Sequence, residues 1–502
     1  MIKKPNVILI TTDQQRFDTI AALGNSKIKT PNLDKLVKSG VVFTRAYSSC
    51  PECVPARITI KTGMPPWQSG STNNGEKINP KTDTIMSVLA KNGYHTQAIG
   101  KMHFIPGRAK FGFKEMWLSE EIPDKVKDDE YLSELIKKGF GHAEEPHGMR
   151  SHMYYIPQVS QLPKELHTTA WTGRKTIEYL NKRKKSKQPF FLWTSFIKPH
   201  PPFDPPVPFN TLYNPLDMEL PIQEKNADKN YTFWNYCQNR YKWMESNRND
   251  VFKQTQKAFY YACISFVDKQ LGEIFKALKK NGQLKNTVII FTADHGEYLG
   301  DHFCYGKRGF QDSAARVPFI ISYPSYLPKN TRLDTPVGHA DIMPTILNLC
   351  NIDYRTPQYG WNLIPKMKNP FSGARKYFYA QYNRKGYAIY MCMDSKWKYI
   401  FDVAGRRDIL FNFIKDPKET KNLAGNAKYR KEKLRLKQEL IKHFKEQGNL
   451  EAVKGNDFRF YPNKNLKRYK KLSSINNNSK DGRLFQFALW TKRNSDMWGS
   501  LM

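Results

Sequence analysis

Two segments of this 502-residue chain, Asn6-Val-Ile-Leu-Ile-Thr-Thr-Asp13 and Thr287-Val-Ile-Ile-Phe-Thr-Ala-Asp294, are apolar almost without a break and end in aspartate. A strand wetted on one face alternates apolar and polar side chains. A continuous apolar run is dry on both faces, as in a parallel sheet covered by helices on either side. The intervening sequence supplies such helices. Thr30 as cap and Pro31 in the first turn open a helix that Gly40 ends, Val41 to Tyr47 reads as a second strand, and residues 82–92 form a helix closed by Gly93. Residues 95–99 make a strand ending at Gly100-Lys101, and residues 189–196 and 319–322 add two more. Strands alternating with helices predict an α/β fold, a large mostly parallel central sheet flanked by helices.

From about Gly373 the pattern changes. Short aromatic-rich segments at 377–382, 388–393 and 396–401 read as antiparallel strands, and Leu434, Leu440, Ile441 and Phe444 form an apolar stripe on a basic helix. We therefore expect two domains, 1–372 and a smaller C-terminal α+β domain, 373–502. Residues 105–165 read as a polar, irregular insertion, and 464–480 as a polar, mobile segment.

The formal charge is +35, spread along the chain and thickening after about Lys415. Such a field attracts polyanions. No nucleic-acid-binding signature accompanies it; a polyanionic saccharide fits best with the motif around Cys53, and the alternative is a generally basic surface without a specific partner. No stretch approaches the roughly 18 apolar residues of a membrane span. Val7 to Ile10 is too short for the core of a signal peptide, so the chain as given carries no leader; a periplasmic or secreted location stays open if one was removed. Seven scattered cysteines make no disulfide framework, and Cys50-Pro51-Glu52-Cys53 lacks a second pair for zinc.

Ligands of open parallel sheets sit outside the carboxyl ends of the strands. Asp13 and Asp294 would then meet at one rim and hold a divalent cation, with Gln14 and His295 next to them as further donors. Carboxylate and amide oxygens suit a hard ion, Ca²⁺ or Mg²⁺. Between a strand and a helix lies Cys53-Val-Pro-Ala-Arg57. A cysteine at a helix N-terminus faces unpaired N–H groups and the positive end of the dipole, and Arg57 shares its face one turn on, so both converge on an anion.

These motifs, with Gly100-Lys101-Met102-His103, Lys198-Pro-His200-Pro-Pro-Phe203, Thr292-Ala-Asp294-His295-Gly-Glu297, Lys307 beyond Leu299-Gly-Asp-His302, and Asp416-Pro-Lys-Glu419, stand in one order. Together they resemble the type I sulfatases of the alkaline phosphatase superfamily over about residues 5–425. The resemblance implies that Cys53 is converted to formylglycine by a formylglycine-generating or anaerobic sulfatase-maturing enzyme. It implies Asp13, Gln14, Asp294, His295 and residue 53 as metal ligands. Lys101 and His103 would bind the nucleophile and sulfate, His200 and Lys307 would sit on the leaving-group side, and Arg57 would stabilise the sulfuryl oxygens. The implied reaction is sulfate-ester hydrolysis on a sulfated saccharide. Gln14 and His295 depart from the Asp and Asn of many members, and Ala56 from a common serine. Asn73 or Asn74 is expected to reach substrate, and His302, His339 and Asp341 to be structural. Two rivals remain: a phosphonate monoester hydrolase or phosphodiesterase of the same superfamily, and a catalytically idle polyanion binder.

Overall fold

The computed structural model describes residues 4–150, 153–236, 249–354 and 359–462. Its centre is a nine-stranded sheet made of β1 (Asn6–Asp13), β2 (Val41–Tyr47), β3 (His95–Gly100), β4 (Glu115–Leu118), β5 (Phe190–Pro199), β6 (Thr287–Ala293), β7 (Arg316–Val317), β8 (Phe319–Ser322) and β9 (Thr331–Gly338), in the order β4-β3-β5-β1-β6-β8-β2-β7 with β9 also on β2. The strands from β4 to β6 run parallel; β8 pairs antiparallel with both β6 and β2. The sheet is thus mixed at one side.

The unbroken apolar runs are explained by two separate cores. Val7 and Leu9 of β1 join Trp193, Val288 and Ile290 beneath Ile85, Leu89 and Ile346. Their neighbours Ile8 and Ile10 join Leu192, Ile289 and Phe291 against Leu271, Ile274 and Leu278 of the long Asp250–Lys280 helix. Each such side chain buries enough apolar area that truncation to Ala would cost about 2–5 kcal/mol.

Several local expectations change. Thr30 precedes the Pro31–Ser39 helix, but its hydroxyl makes no capping bond. The Asp268 carboxylate does this instead, accepting from the N–H groups of Asn32 and Leu33. The helix expected over 82–92 is Ile85–Lys91, with Thr84 and Ser87 forming a reciprocal cap. The 105–165 segment is less irregular than its composition suggests: it adds edge strand β4 and the helix Glu130–Lys137, capped by Asp129. Strand β9 is too polar at one end to be read from alternation.

The C-terminal sheet is antiparallel, β10 (Phe378–Tyr382) to β11 (Ile389–Met393), β12 (Trp397–Asp402) and β13 (Arg407–Asn412). The Arg430–Glu446 helix packs on it through Leu436, Leu440, Ile441 and Phe444. Leu434 is 42% exposed, so Leu436 takes the place assigned to it. The other face of this sheet, through Phe378, Met391 and Ile400, meets Tyr47, Cys50 and Phe310 of the large sheet's body. The segment 464–480 lies outside the described residues.

The helix Cys53–Thr62, entirely buried, ends at Gly63 in the left-handed conformation. Its Lys61 ammonium lies 3.5 Å from the centroid of Phe111 and 4.1 Å from that of Phe104, and burial pushes its pKa down to about 7. Unfolded, this lysine keeps its proton to about pH 10.4. Between those values the unfolded state binds the extra proton, so raising the pH stabilises the fold. The expected outcome is that wild type gains stability relative to Lys61→Met as pH rises from 7 to 10, by at most about 1.4 kcal/mol per unit. Denaturation at several pH values checks it; a constant difference contradicts it.

Candidate active site and metal centre

Asp13 and Asp294 meet because their strands are adjacent. Thr12 of β1 pairs with Ala293 of β6, so the next residue on each strand reaches the same rim. Each carboxylate is divided in use. The Oδ2 atoms are tied down: Arg57 Nε lies 3.0 Å from that of Asp294, and Arg57 Nη2 3.3 Å and Lys101 Nζ 2.6 Å from that of Asp13. The Oδ1 atoms turn inward, 3.7 Å (Asp13) and 3.6 Å (Asp294) from His295 Nε2. Cys53 Sγ closes the group, 3.4 Å from His295 Nε2 and 3.8 Å from Asp13 Oδ1. One ligand atom from each of Asp13, Cys53, Asp294 and His295 lies within 4.8 Å of the others, and all four residues are buried.

These four donors could hold one metal ion. His295 Nδ1 lies 3.0 Å from the Gly296 carbonyl and so carries a proton, which turns Nε2 toward the two carboxylates; in spite of burial, Asp294 raises the pKa of the ring. Gln14 is also aimed by its partners: its amide NH₂ donates to Glu297, and its Oε1 accepts from Lys307 Nζ at 3.0 Å on the cluster side. Burial and the charge of Asp13 push Asp294 above the usual carboxylate range, while Lys101, His200 and Lys307 overcome burial and hold Asp13 below it. Two carboxylates so close together repel, and a cation between them removes that cost.

Lys307 is the residue nearest the sulfur. Its Nζ lies 2.8 Å from Cys53 Sγ. The loop that carries it is fastened beside the cysteine: Arg308 N–H donates to the Pro51 carbonyl at 3.0 Å, and its guanidinium pairs with Glu52. Burial opposes a thiolate at Cys53, yet Lys307, Lys101 and hydrogen bonds from His103 and His200 hold its pKa well below the usual thiol value. Cys50, three residues earlier, goes the other way: burial beside Glu52 and Glu76 raises it. The described cysteines are all free.

Lys101 follows Gly100, whose φ of +92° and the 2.0 Å approach its Cβ would make to the Ser195 carbonyl leave no room for a side chain. His200 Nδ1 lies 2.7 Å from the Pro201 carbonyl and Nε2 3.5 Å from the Tyr154 hydroxyl. Burial pushes its pKa down to about 4, so it is neutral at neutral pH. His103 takes its place through its backbone, whose N–H donates to Glu120, and its Nδ1 has no partner.

Some expectations are redirected. Arg57 does share the cysteine's helix, but its donors are spent on Asp13, Asp294, Ser195 Oγ and the Lys101 carbonyl. Asn74 accepts from the Val54 N–H at 3.0 Å and so caps the cysteine's helix. His302 pairs with Glu224, His339 with the Ala293 carbonyl, and Asp341 with Arg375. Sequence reasoning missed Glu121, which lies 2.5 Å from Lys101 Nζ and 3.4 Å from His200 Nδ1. It also gave no role to Glu297, which accepts from Gln14, from the Tyr155 hydroxyl and from the N–H groups of Leu299 and Gly306. No strand end or motif marks Glu121.

The sulfatase family profile matches residues 5–352, and that of the N-sulphoglucosamine sulphohydrolase C-terminal region matches 300–446. An arylsulfatase of Clostridium perfringens is 31% identical over 459 residues, 88% of this chain and 94% of that protein. The phosphonate monoester hydrolase of Agrobacterium radiobacter has a TM-score of 0.77 at 26% identity, covering 89% of this chain and 95% of its own. A protein solved in complex with its substrate D-glucosamine-2-N,6-O-disulfate has a TM-score of 0.71 at 22% identity, covering 89% and 99%, a likeness of fold.

Because Glu297 orients Gln14, Glu297→Ala is expected to weaken divalent-cation binding about 10- to 100-fold, measured by calorimetric titration of the metal-free protein. Unchanged affinity would remove Gln14 from the ligand set.

Proposed function

Since this chain belongs to the sulfatase family and is a sulfuric ester hydrolase, we propose that it removes sulfate from a sulfated saccharide, with formylglycine at position 53 and Ca²⁺ or Mg²⁺ held by Asp13, Gln14, Asp294, His295 and residue 53. The observation that carries this reading is the convergence of Asp13, Cys53, Asp294 and His295 around one point, with Lys307 against the sulfur. The net charge of +35 favours an acidic saccharide, and the neighbour solved with a sulfated glucosamine supports that class.

When present, the cation supplies positive charge for the sulfuryl oxygens, and formylglycine supplies an oxygen nucleophile where the Cys53 sulfur now stands. The chain's own residues do the rest. Lys101, held protonated in spite of burial by Asp13 and Glu121, and Lys307, which Asp13 also favours in its charged form, bind negative charge next to residue 53. Arg57 acts at one remove, holding both carboxylates in place. His103, adjacent to residue 53, is placed to take up a proton there. His200, neutral and beside Tyr154, is the residue placed to hydrogen-bond the ester's oxygen, while Lys307 stays against residue 53. Burial of every ligand excludes water from the cation's near side.

A second reading, phosphonate monoester hydrolysis, draws on the 26%-identical hydrolase and on Gln14 and His295. Comparing kcat/KM on aryl sulfate and phenyl phosphonate esters separates the two; sulfatase action predicts the aryl sulfate to be preferred. A polyanion binder without catalysis predicts an unconverted Cys53. Our expectation is that protein co-produced with a maturing enzyme shows the formylglycine mass on its Cys53 peptide, that released sulfate scales with the converted fraction, and that Cys53→Ala loses turnover altogether. Full activity of Cys53→Ala would end the proposal.

A further inference from the structure

Residues 145–150 and 153–158 form one wall of the site, and several bonds hold them there. Lys198 Nζ donates to the His147 carbonyl at 3.0 Å, the Gln158 N–H to the Phe203 carbonyl at 3.2 Å, and Gln256 Nε2 to the Tyr155 carbonyl at 2.7 Å. The Tyr155 hydroxyl bonds Glu297, the residue that orients Gln14. Nothing in the reaction as derived above uses the two side chains this wall presents, Arg150 and Tyr154.

Tyr154 stands over His200, its hydroxyl 3.5 Å from Nε2, and so lies on the leaving-group side. The Arg150 guanidinium carbon lies 5.7 Å from the Tyr154 ring centroid. Arg150 Nη1 pairs with Glu121 Oε1 at 2.6 Å, but its Nη2 is buried without a partner. A desolvated donor without an acceptor is costly, and a cationic one more so. Glu121 is shared: its other oxygen is 2.5 Å from Lys101 Nζ, which also pairs with Asp13, and Glu145, the other carboxylate near Arg150, accepts from its backbone N–H. The arginine side chain is 21% exposed, so it can be reached from solvent. A planar guanidinium with one edge taken and the other free matches an incoming oxyanion.

We propose that Arg150 is a specificity-determining residue that binds a second anionic group of the substrate, a carboxylate or a further sulfate, on the saccharide that carries the scissile ester. Tyr154 supplies the flat face against which the sugar ring rests. The inference rests on the sulfatase reading and narrows it: the preferred substrate carries at least two negative charges.

The test compares kcat/KM of matured wild type, Arg150→Gln and Arg150→Lys on three sulfated disaccharides: one with a neutral second substituent, one with a uronate carboxylate and one with a second sulfate. Wild type is expected to prefer one or both doubly charged substrates. In Arg150→Gln the ratio of doubly to singly charged kcat/KM falls about 10- to 100-fold, and Arg150→Lys recovers part of it. The arm that loses its preference tells carboxylate from sulfate. A wild type indifferent to the second charge overturns the inference, as does an Arg150→Gln variant whose ratio is unchanged while all three rates drop together. A wild type that cleaves phenyl phosphonates but none of the sulfates overturns the sulfatase reading itself.

Discussion

The Arg57 guanidinium, buried to 1% exposure between the carboxylates of Asp13 and Asp294, is the interaction on which the site depends. It joins three elements whose residues are far apart in sequence: the ends of β1 and β6 and the second turn of the cysteine's helix. Two buried carboxylates side by side would repel, and one would be driven to take up a proton. A permanent cation bonded to one oxygen of each opposes that uptake and points the other oxygens inward, though Asp294 still lies above the usual carboxylate range. Lys101 reinforces Asp13 from the β3 side. The cluster that could hold a metal ion is therefore framed by opposite charge set around its outside.

The segment least legible in the sequence contributes a second layer. Glu121, Arg150 and Tyr154 all come from the polar stretch after Phe104, and they connect to the reacting residues through Lys101 and His200. One face of the active site is thus made by residues whose placement depends on tertiary contacts, not on a strand end.

What could be read from residues alone follows from what local physics dictates. The dry strands, the turn at Gly100, the helix begun at Cys53 and the meeting of Asp13 with Asp294 are consequences of hydrophobic pattern and parallel topology, and all of them stand in the structure. Thr30 misled because the helix it precedes is capped by Asp268, from a residue more than two hundred positions away. Leu434 misled because a basic helix lets the stripe shift by half a turn to Leu436. Arg57 was placed on the correct face, but counting along a helix does not say which anion the side chain prefers, and two fixed carboxylates lay closer than any substrate. Glu121 and Arg150 carry no local signature at all.

The pairing of Arg308 with Glu52 has a consequence in time. Residue 53 emerges from the ribosome 254 positions ahead of Lys307, so for much of synthesis the cysteine has neither its amine nor the loop that seals it. In the folded chain this latch holds the Lys307 loop over position 53. An agent that must touch that sulfur meets it buried once the fold is complete.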